Sequence, residues 1–174
     1  MFHLTTERPD DGPAIEALLD RAFGPGRQTK ISYRYRQAAA PVGALSRVAR
    51  ADDDGRLLGS IRYWGVEIGG HAALLLGPLA VEPALKGRGI GVALMRDTID
   101  AAVWMNVRRI VLVGDIGYYA RFGFVPAAPL GLVMPGEKPG RLLACALSRD
   151  AFDGVQGAIC RPRRSLRGGG LIAA

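Results

Sequence analysis

Leu79-Ala-Val-Glu-Pro-Ala-Leu-Lys-Gly-Arg-Gly-Ile-Gly-Val-Ala-Leu-Met95 decides how the rest of this chain is read. The stretch begins as the end of an apolar strand, passes through a short loop, and opens a helix through a glycine-rich turn. Gly87, Gly89 and Gly91 alternate with Arg88 and Ile90. The first turn of a helix leaves backbone N–H groups without intrahelical partners, at the positive end of the helix dipole. Glycine lets an anion come close to that backbone. Lys86 and Arg88 add full positive charges beside it. The turn is therefore expected to hold a pyrophosphate.

Working outward from the turn, residues 71–81 form a near-continuous apolar run, which predicts a strand buried on both faces. Pro78 lies inside that run, and proline cannot donate to a sheet ladder. A bulge is expected at Gly77-Pro78, splaying the strand from its next neighbour. On the other side, a helix is expected from Gly89 to about Asn106. Val92, Met95, Ile99, Ala102 and Val103 fall on one face and Arg96, Asp97 and Asp100 on the other. Residues 109–114 read as another buried strand. Strand, turn, helix and strand make a β-α-β unit with parallel strands and a right-handed crossover.

Upstream, residues 44–51 and 56–68 read as strands joined by Asp52-Asp-Asp-Gly55, with Gly69-Gly70 as the next hairpin turn. A short strand opens the chain at residues 2–5. A helix is expected over residues 14–23, with Asp10 and Asp11 as cap candidates and Gly24-Pro-Gly26 as its stop. A weaker helix is expected over residues 29–39. Its Tyr33, Arg34, Tyr35 and Arg36 suit either an amphipathic surface or one wall of a substrate cleft. Downstream come a short helix at residues 118–122, a Pro/Gly-rich loop at 127–140 and a last strand at 141–148. Residues 1–150 are expected to form one domain and 151–174 an irregular tail, with Gly168-Gly-Gly170 as a loose end.

The chain has 174 residues, 49% of them apolar, enough for one full core. No apolar run reaches the roughly 18 residues of a membrane span. Residues 1–11 lack the apolar core of a signal peptide, which points to the cytoplasm. Cys145 and Cys160 form no metal-ligand pattern, Cys145 reads as a core residue, and no disulfide or metal is expected. The net charge of +7 is spread along the chain apart from Arg161-Pro-Arg-Arg-Ser-Leu-Arg167. With no nucleic-acid motif beside it, this spread argues against a nucleic-acid partner. Oligomeric state stays open between monomer and homodimer.

Three kinds of phosphate-binding turn compete for residues 86–91. A P-loop would end in Gly-Lys-Ser/Thr, which is absent. A Rossmann fingerprint would follow a first strand, whereas here the glycines lie mid-chain after antiparallel strands. Lys86-Gly-Arg-Gly-Ile-Gly91 instead resembles the (Arg/Gln)-x-x-Gly-x-(Gly/Ala) signature of the Gcn5-related N-acetyltransferase (GNAT) superfamily. Leu79-Ala-Val-Glu-Pro83 and Tyr119-Ala-Arg-Phe-Gly-Phe124 match two further segments of that superfamily. Gly131-Leu-Val-Met-Pro-Gly136 is similar to its predicted N-acetyltransferase branch. Lys86 departs from the usual arginine or glutamine, keeping the charge and losing the planar fork.

The resemblance implies an α/β (α+β) fold. Its central sheet would be mixed and mostly antiparallel, with a parallel β-α-β cofactor unit and helices on both faces. It implies transfer of an acetyl group from acetyl-CoA to a primary amine by direct attack through a tetrahedral intermediate. The cofactor would lie between the strands that end near Val81 and Gly114. Leu79, Ala80 and Val81 would meet the pantetheine arm, and the Val81 N–H would polarise the thioester carbonyl. Lys86, Gly87, Arg88, Gly89, Ile90, Gly91 and Val92 would hold the phosphates. Tyr119 would be the general acid, with Tyr118 as the alternative and as a cofactor contact. Asp115 stands where an asparagine often touches the pantetheine. Glu82, Glu67 and His71 are the nearest general-base candidates, and a water chain is the alternative. Trp64 and Trp104 read as packing or as substrate walls. A non-catalytic acyl-CoA-binding module is the competing reading.

Overall fold

The computed structural model describes residues 1–162; the rest of the arginine-rich cluster, from Arg163, and the Gly168-Gly-Gly170 run lie outside the described residues. The described chain packs as two compact units. One is Met1–Trp64 with Leu76–Ala101, and the other is Gly65–Leu75 with the described residues from Ala102 on.

The first unit is built on β1 (Phe2–Thr6), α1 (Gly12–Phe23), β2 (Arg47–Ala51), most of β3 (Leu57–Ile68), the end of β4 (His71–Val81) and most of α2 (Ile90–Trp104). β1 pairs antiparallel with β2 from Phe2↔Ala51 to Thr6↔Arg47. β2 pairs antiparallel with β3, and the register shifts between Ala49 and Arg50, where Leu58 is the extra residue on β3. The glycines of the Gly69-Gly70 hairpin both have positive φ, at 56° and 84°, as a tight turn into β4 requires.

Residues on a strand alternate between its faces, and β3 uses both. Gly59, Ile61 and Tyr63 share one face. Gly59 meets α2 so closely that a β-carbon there would sit 2.9 Å from Ile90 Cγ2 and 3.1 Å from Leu94 Cδ1. The Tyr63 hydroxyl, fully buried, bonds Thr98 Oγ1 at 2.8 Å, and Thr98 bonds back to the Leu94 carbonyl at 2.7 Å. Arg62 and Trp64 point the other way, towards α1. There Ile15, Leu18 and Leu19 pack on Val48, Leu57 and Ala80.

The second unit holds the start of β4, β5 (Arg109–Val113), α3 (Ile116–Tyr119), β6 (Val125–Pro126), β7 (Leu132–Val133), β8 (Leu142–Ala146) and β9 (Gly157–Cys160). β4 and β5 are parallel at Leu74↔Ile110 and Leu75↔Val111. β5 pairs antiparallel with β8, and β8 with β6. The buried Arg109 guanidinium donates to the carbonyls of Ala72 at 2.6 Å and Ala151 at 2.5 Å. The fold is mixed α/β, its open sheet mostly antiparallel with β4 and β5 parallel.

Several expectations need correction. Residues 29–39 are not an α-helix: Pro25–Thr29 and Ile31–Tyr35 are two 3-10 segments separated by the extended Lys30. Their bonds run i to i+3, as from Lys30 N–H to Arg27 and from Arg36 N–H to Tyr33. Asp11 does not cap α1 with its side chain. Its own backbone is helical, at φ −75° and ψ −16°, and its carboxylate accepts from the Arg8 N–H and pairs with Arg50. The buried line of α2 is Ile90, Leu94, Met95, Thr98 and Ala102, while Val103 is exposed. The chain is not irregular throughout after Asp150. β9 pairs with β3 at Glu67↔Cys160 and Ile68↔Ile159 and with β7 at Leu132↔Gly157, and Ala151, Val155 and Ile159 are buried. The irregularity expected at Gly77-Pro78 takes the form of a cis peptide bond, with Gly77 at φ 120°. Cys145 is buried and Cys160 exposed, both as free thiols.

Replacing Gly59 by valine forces side-chain atoms into α2. Gly59→Val should cost about 1–3 kcal/mol by overpacking and lower the melting temperature by several degrees. Gly43→Ala, where an added β-carbon meets nothing within 4 Å, should leave it unchanged; equal melting temperatures for both variants would refute the close-approach reading.

Candidate functional site

The first unit brings together the strand end and the glycine turn. Along β4, Leu79 and Val81 are half-buried and Ala80 is buried. The Glu82 N–H donates to the Leu58 carbonyl at 2.8 Å, so the strand end is held against β3. A 3-10 turn at Pro83–Leu85 then carries the chain to the glycines. Gly87 and Gly89 sit at φ 85° and 84°, a left-handed backbone that a side chain would strain. The turn is exposed up to Gly89, and Ile90 is the buried residue that seats α2. The first intrahelical bond runs from the Ala93 N–H to the Gly89 carbonyl at 2.9 Å. The N–H groups of Ile90, Gly91 and Val92 therefore precede the helical ladder, at the positive end of α2. Lys86 and Arg88 flank them without an ion pair among the described residues. This geometry suits an anion with several oxygens.

Glu82 is not a free base. Both its carboxylate oxygens accept from Arg21, at 3.0–3.3 Å. His71 is exposed at its hairpin, and Trp104 is 87% exposed.

The second unit carries the tyrosines. β5 ends at Gly114, and Asp115 caps α3 by accepting from the Gly117 N–H at 2.9 Å. The Tyr118 and Tyr119 N–H groups both donate to the Asp115 carbonyl at 3.1 Å. Their rings meet edge to face with centroids 4.9 Å apart. Tyr119 also packs on Phe124 and lies flush against Gly114, where an added β-carbon would fall 2.8 Å from its Cδ2. Gly114 thus makes room for the ring. Burial, with Tyr118 beside it and Arg141 opposing, pushes the Tyr119 phenol up to about 12. Burial also raises Tyr118, while Arg121 over its ring pulls it down. Both phenols stay protonated at neutral pH.

A cavity of about 260 Å³ also lies within the first unit. Its walls come from α1 (Glu16, Leu19), the 3-10 segments (Arg27, Tyr33), Arg36, and the Arg62/Trp64 face of β3. Pro78 completes it, one residue before Leu79. Of the residues flagged at 33–36, Tyr33 and Arg36 line the cavity, whereas Tyr35 is buried elsewhere in the unit and Arg34 is exposed. Arg27, Gln28 and Arg62 were not foreseen. The available signal was Arg62, a charge set between Ile61 and Tyr63 in the middle of a mostly apolar strand.

The family model for the acetyltransferase (GNAT) family matches residues 13–124. The N-acetyltransferase YhbS of Escherichia coli K12, described by name as uncharacterised, is 31% identical over 160 residues, 90% of this chain and 93% of its own. A solved structure of E. coli YhbS in complex with CoA matches with a TM-score of 0.79 at 29% identity, covering 91% of this chain and 88% of that one. A GNAT-family acetyltransferase from Brucella melitensis in complex with acetyl-CoA matches at 0.70 and 31% identity, covering 93% and 96%. Relatives of such identity over nine-tenths of the chain, and a family model spanning the strand end, the glycine turn and the tyrosines, have one reading: this chain belongs to the GNAT acetyltransferase family.

Proposed function

We propose that this protein transfers the acetyl group of acetyl-CoA to a primary amine. The observation that carries the reading is the turn at residues 86–92, shortly after β4, with two left-handed glycines, helix-initial N–H groups ahead of the helical ladder and two cations that make no ion pair among the described residues. The CoA and acetyl-CoA held by the two solved relatives support the choice of anion. The N–H groups of Gly87, Gly89, Ile90, Gly91 and Val92 bind the pyrophosphate. Those of Lys86 and Arg88 are taken by the Pro83 and Leu85 carbonyls at 3.3 and 3.1 Å, and these two residues contribute the charge of their side chains. Leu79, Ala80 and Val81 accompany the pantetheine arm, and Asp115 accepts from one of its amides. No other group is needed.

The neutral amine attacks the thioester carbonyl carbon, and its carbon–nitrogen bond forms as the carbonyl oxygen gains charge. The Val81 N–H stabilises that oxyanion. The carbon–sulfur bond then breaks, the thiolate takes the Tyr119 phenol proton, and the amine proton leaves through water. A raised Tyr119 pKa suits this role, because it keeps the phenol in its acid form.

Isothermal titration should show saturable binding of acetyl-CoA; absence of binding would overturn the assignment. Lys86→Ala should weaken that binding severalfold, more so at low salt, and leave kcat within about twofold. Tyr119→Phe should lower kcat on the order of 100-fold, with the acetyl-CoA affinity little changed and Tyr118→Phe costing much less. Since the amine must be neutral and the acid protonated, kcat should rise with pH and then level. With Tyr119 up at about 12, no descending limb should appear below about pH 10. A fall near pH 8 would remove Tyr119 from the role.

A further inference from the structure

The cavity in the first unit has a charge arrangement that selects what can enter it. Three guanidinium groups, Arg27, Arg36 and Arg62, stand in its wall with one carboxylate, Glu16. Arg27 is answered by Glu16 at 2.5 Å and Asp20 at 2.7 Å, and Arg62 by Glu7 at 2.7 Å and Glu16 at 3.3 Å. Arg36 has no carboxylate partner among the described residues. Its Cζ lies 4.5 Å from the centroid of the Tyr33 ring and 5.1 Å from that of Trp64. Its Nε and Nη1 are buried with no hydrogen-bond partner among the described residues. Its Nη2 makes a 3.5 Å contact with Ser32 Oγ, and Tyr33 gives the guanidinium a neutral side-chain partner.

Two consequences follow from this arrangement. The cavity's aromatic faces are already taken by a cation, so it is not a cage for a cationic headgroup. The three guanidiniums are balanced in number by Glu7, Glu16 and Asp20, but those carboxylates all face Arg27 and Arg62. Arg36 is left without a direct ion pair in a partly dry wall, where an opposite charge in contact is favoured. Burial pushes the Arg36 guanidinium down to about 10, with Tyr33 opposing and Arg27 and Arg62 adding to the fall, so it remains charged at neutral pH. One guanidinium without a carboxylate in contact offers a place for one carboxylate.

We propose that this cavity is the acceptor pocket, and that the acceptor is a small primary amine bearing a carboxylate, which Arg36 holds. The proposal rests on the acetyltransferase reading and names the substrate class for it. The cavity volume suits a molecule on the order of ten non-hydrogen atoms. Pro78, in its wall, is three residues from Val81 along β4, about 10 Å of extended chain. An amine anchored by a carboxylate at Arg36 is thus held close to the strand end where the thioester is expected. Leu19, Tyr33, Trp64 and Pro78 pack against the apolar body of the acceptor.

The test reads binding without acetyl-CoA. The chain has two tryptophans, and Trp104 is almost fully exposed. Trp104→Phe leaves Trp64 as the only indole, in the wall of the cavity. Its emission is titrated with 4-(aminomethyl)benzoate and with benzylamine. The carboxylate-bearing amine should saturate the signal with at least tenfold tighter binding than benzylamine. Benzoate should compete with it, and benzyl alcohol should not. Arg36→Gln should bring the two amines to within about threefold, with acetyl-CoA affinity by calorimetry unchanged. Equal binding of the two amines, binding of neither, or a preference that survives Arg36→Gln overturns the proposal. Should Arg36→Gln fail to fold, the benzoate and benzyl alcohol competition with the Arg36 protein decides. Loss of acetyl-CoA binding alone would sink the acetyltransferase reading and leave the Trp64 preference standing, so the two failures are distinct.

Discussion

The approach of α2 to β3 over Gly59 is the constraint on which the rest of the first unit depends. A helix can present its first N–H groups to an anion only if its start is fixed in space. Here the start is fixed by contact. Ile90 and Leu94 sit down on a strand position that has no side chain, and one turn further on Thr98 is tied to Tyr63. The Glu82 N–H bond to Leu58 holds the other end of the connecting loop. Strand end and helix start are therefore both referred to β3, and the exposed glycines between them bend the chain through backbone conformations that need no packing of their own. The proposed anion site is built on main chain, so the side chains that surround it would tune affinity without setting its shape.

The opposite face of β3 is organised by charge. Glu16 is shared between Arg27 and Arg62, which ties α1, the first 3-10 segment and β3 through one carboxylate. Arg27 is nearly fully buried, and burial alone would lower its pKa. Its bonds to Tyr33, Asp20 and Glu16 more than reverse that, and raise it. Breaking one member of such a network leaves a buried charge behind, which costs more than the net worth of the pair. The 3-10 segments are held in this way by long-range ion pairs, and they carry Tyr33 and Arg36 to the cavity wall.

That division explains what could be read in the chain beforehand. β4 and the turn after it were legible because their signals are local: an unbroken apolar run, and glycines at alternate positions. The Tyr119 segment was legible as a motif, although its close fit against Gly114 was not, since nothing in Gly114 itself announces the ring. The 3-10 geometry of residues 29–39 was not legible because its anchor lies outside the stretch: Arg27, paired with Glu16 and Asp20 on α1, donates to the Tyr33 hydroxyl. β9 was missed for a similar reason. Four residues carry too little pattern to announce a strand, and its partners Glu67 and Ile68 lie far away in sequence. The cavity was half visible, in Tyr33, Arg36 and Trp64, because aromatic and charged residues side by side are conspicuous. Its closure by Arg62 and Pro78 is a matter of strand alternation and chain return.

The pairing of β9 with the end of β3 has a further meaning for the life of the chain outside its folded state. Without β9, Glu67 and Ile68 would present unpaired main-chain donors and acceptors, beside apolar positions that Val155 and Ile159 help to fill. An open strand edge of that kind recruits other chains. β9 thus covers that edge. A chain emerging from synthesis would carry this open edge until β9 has been made.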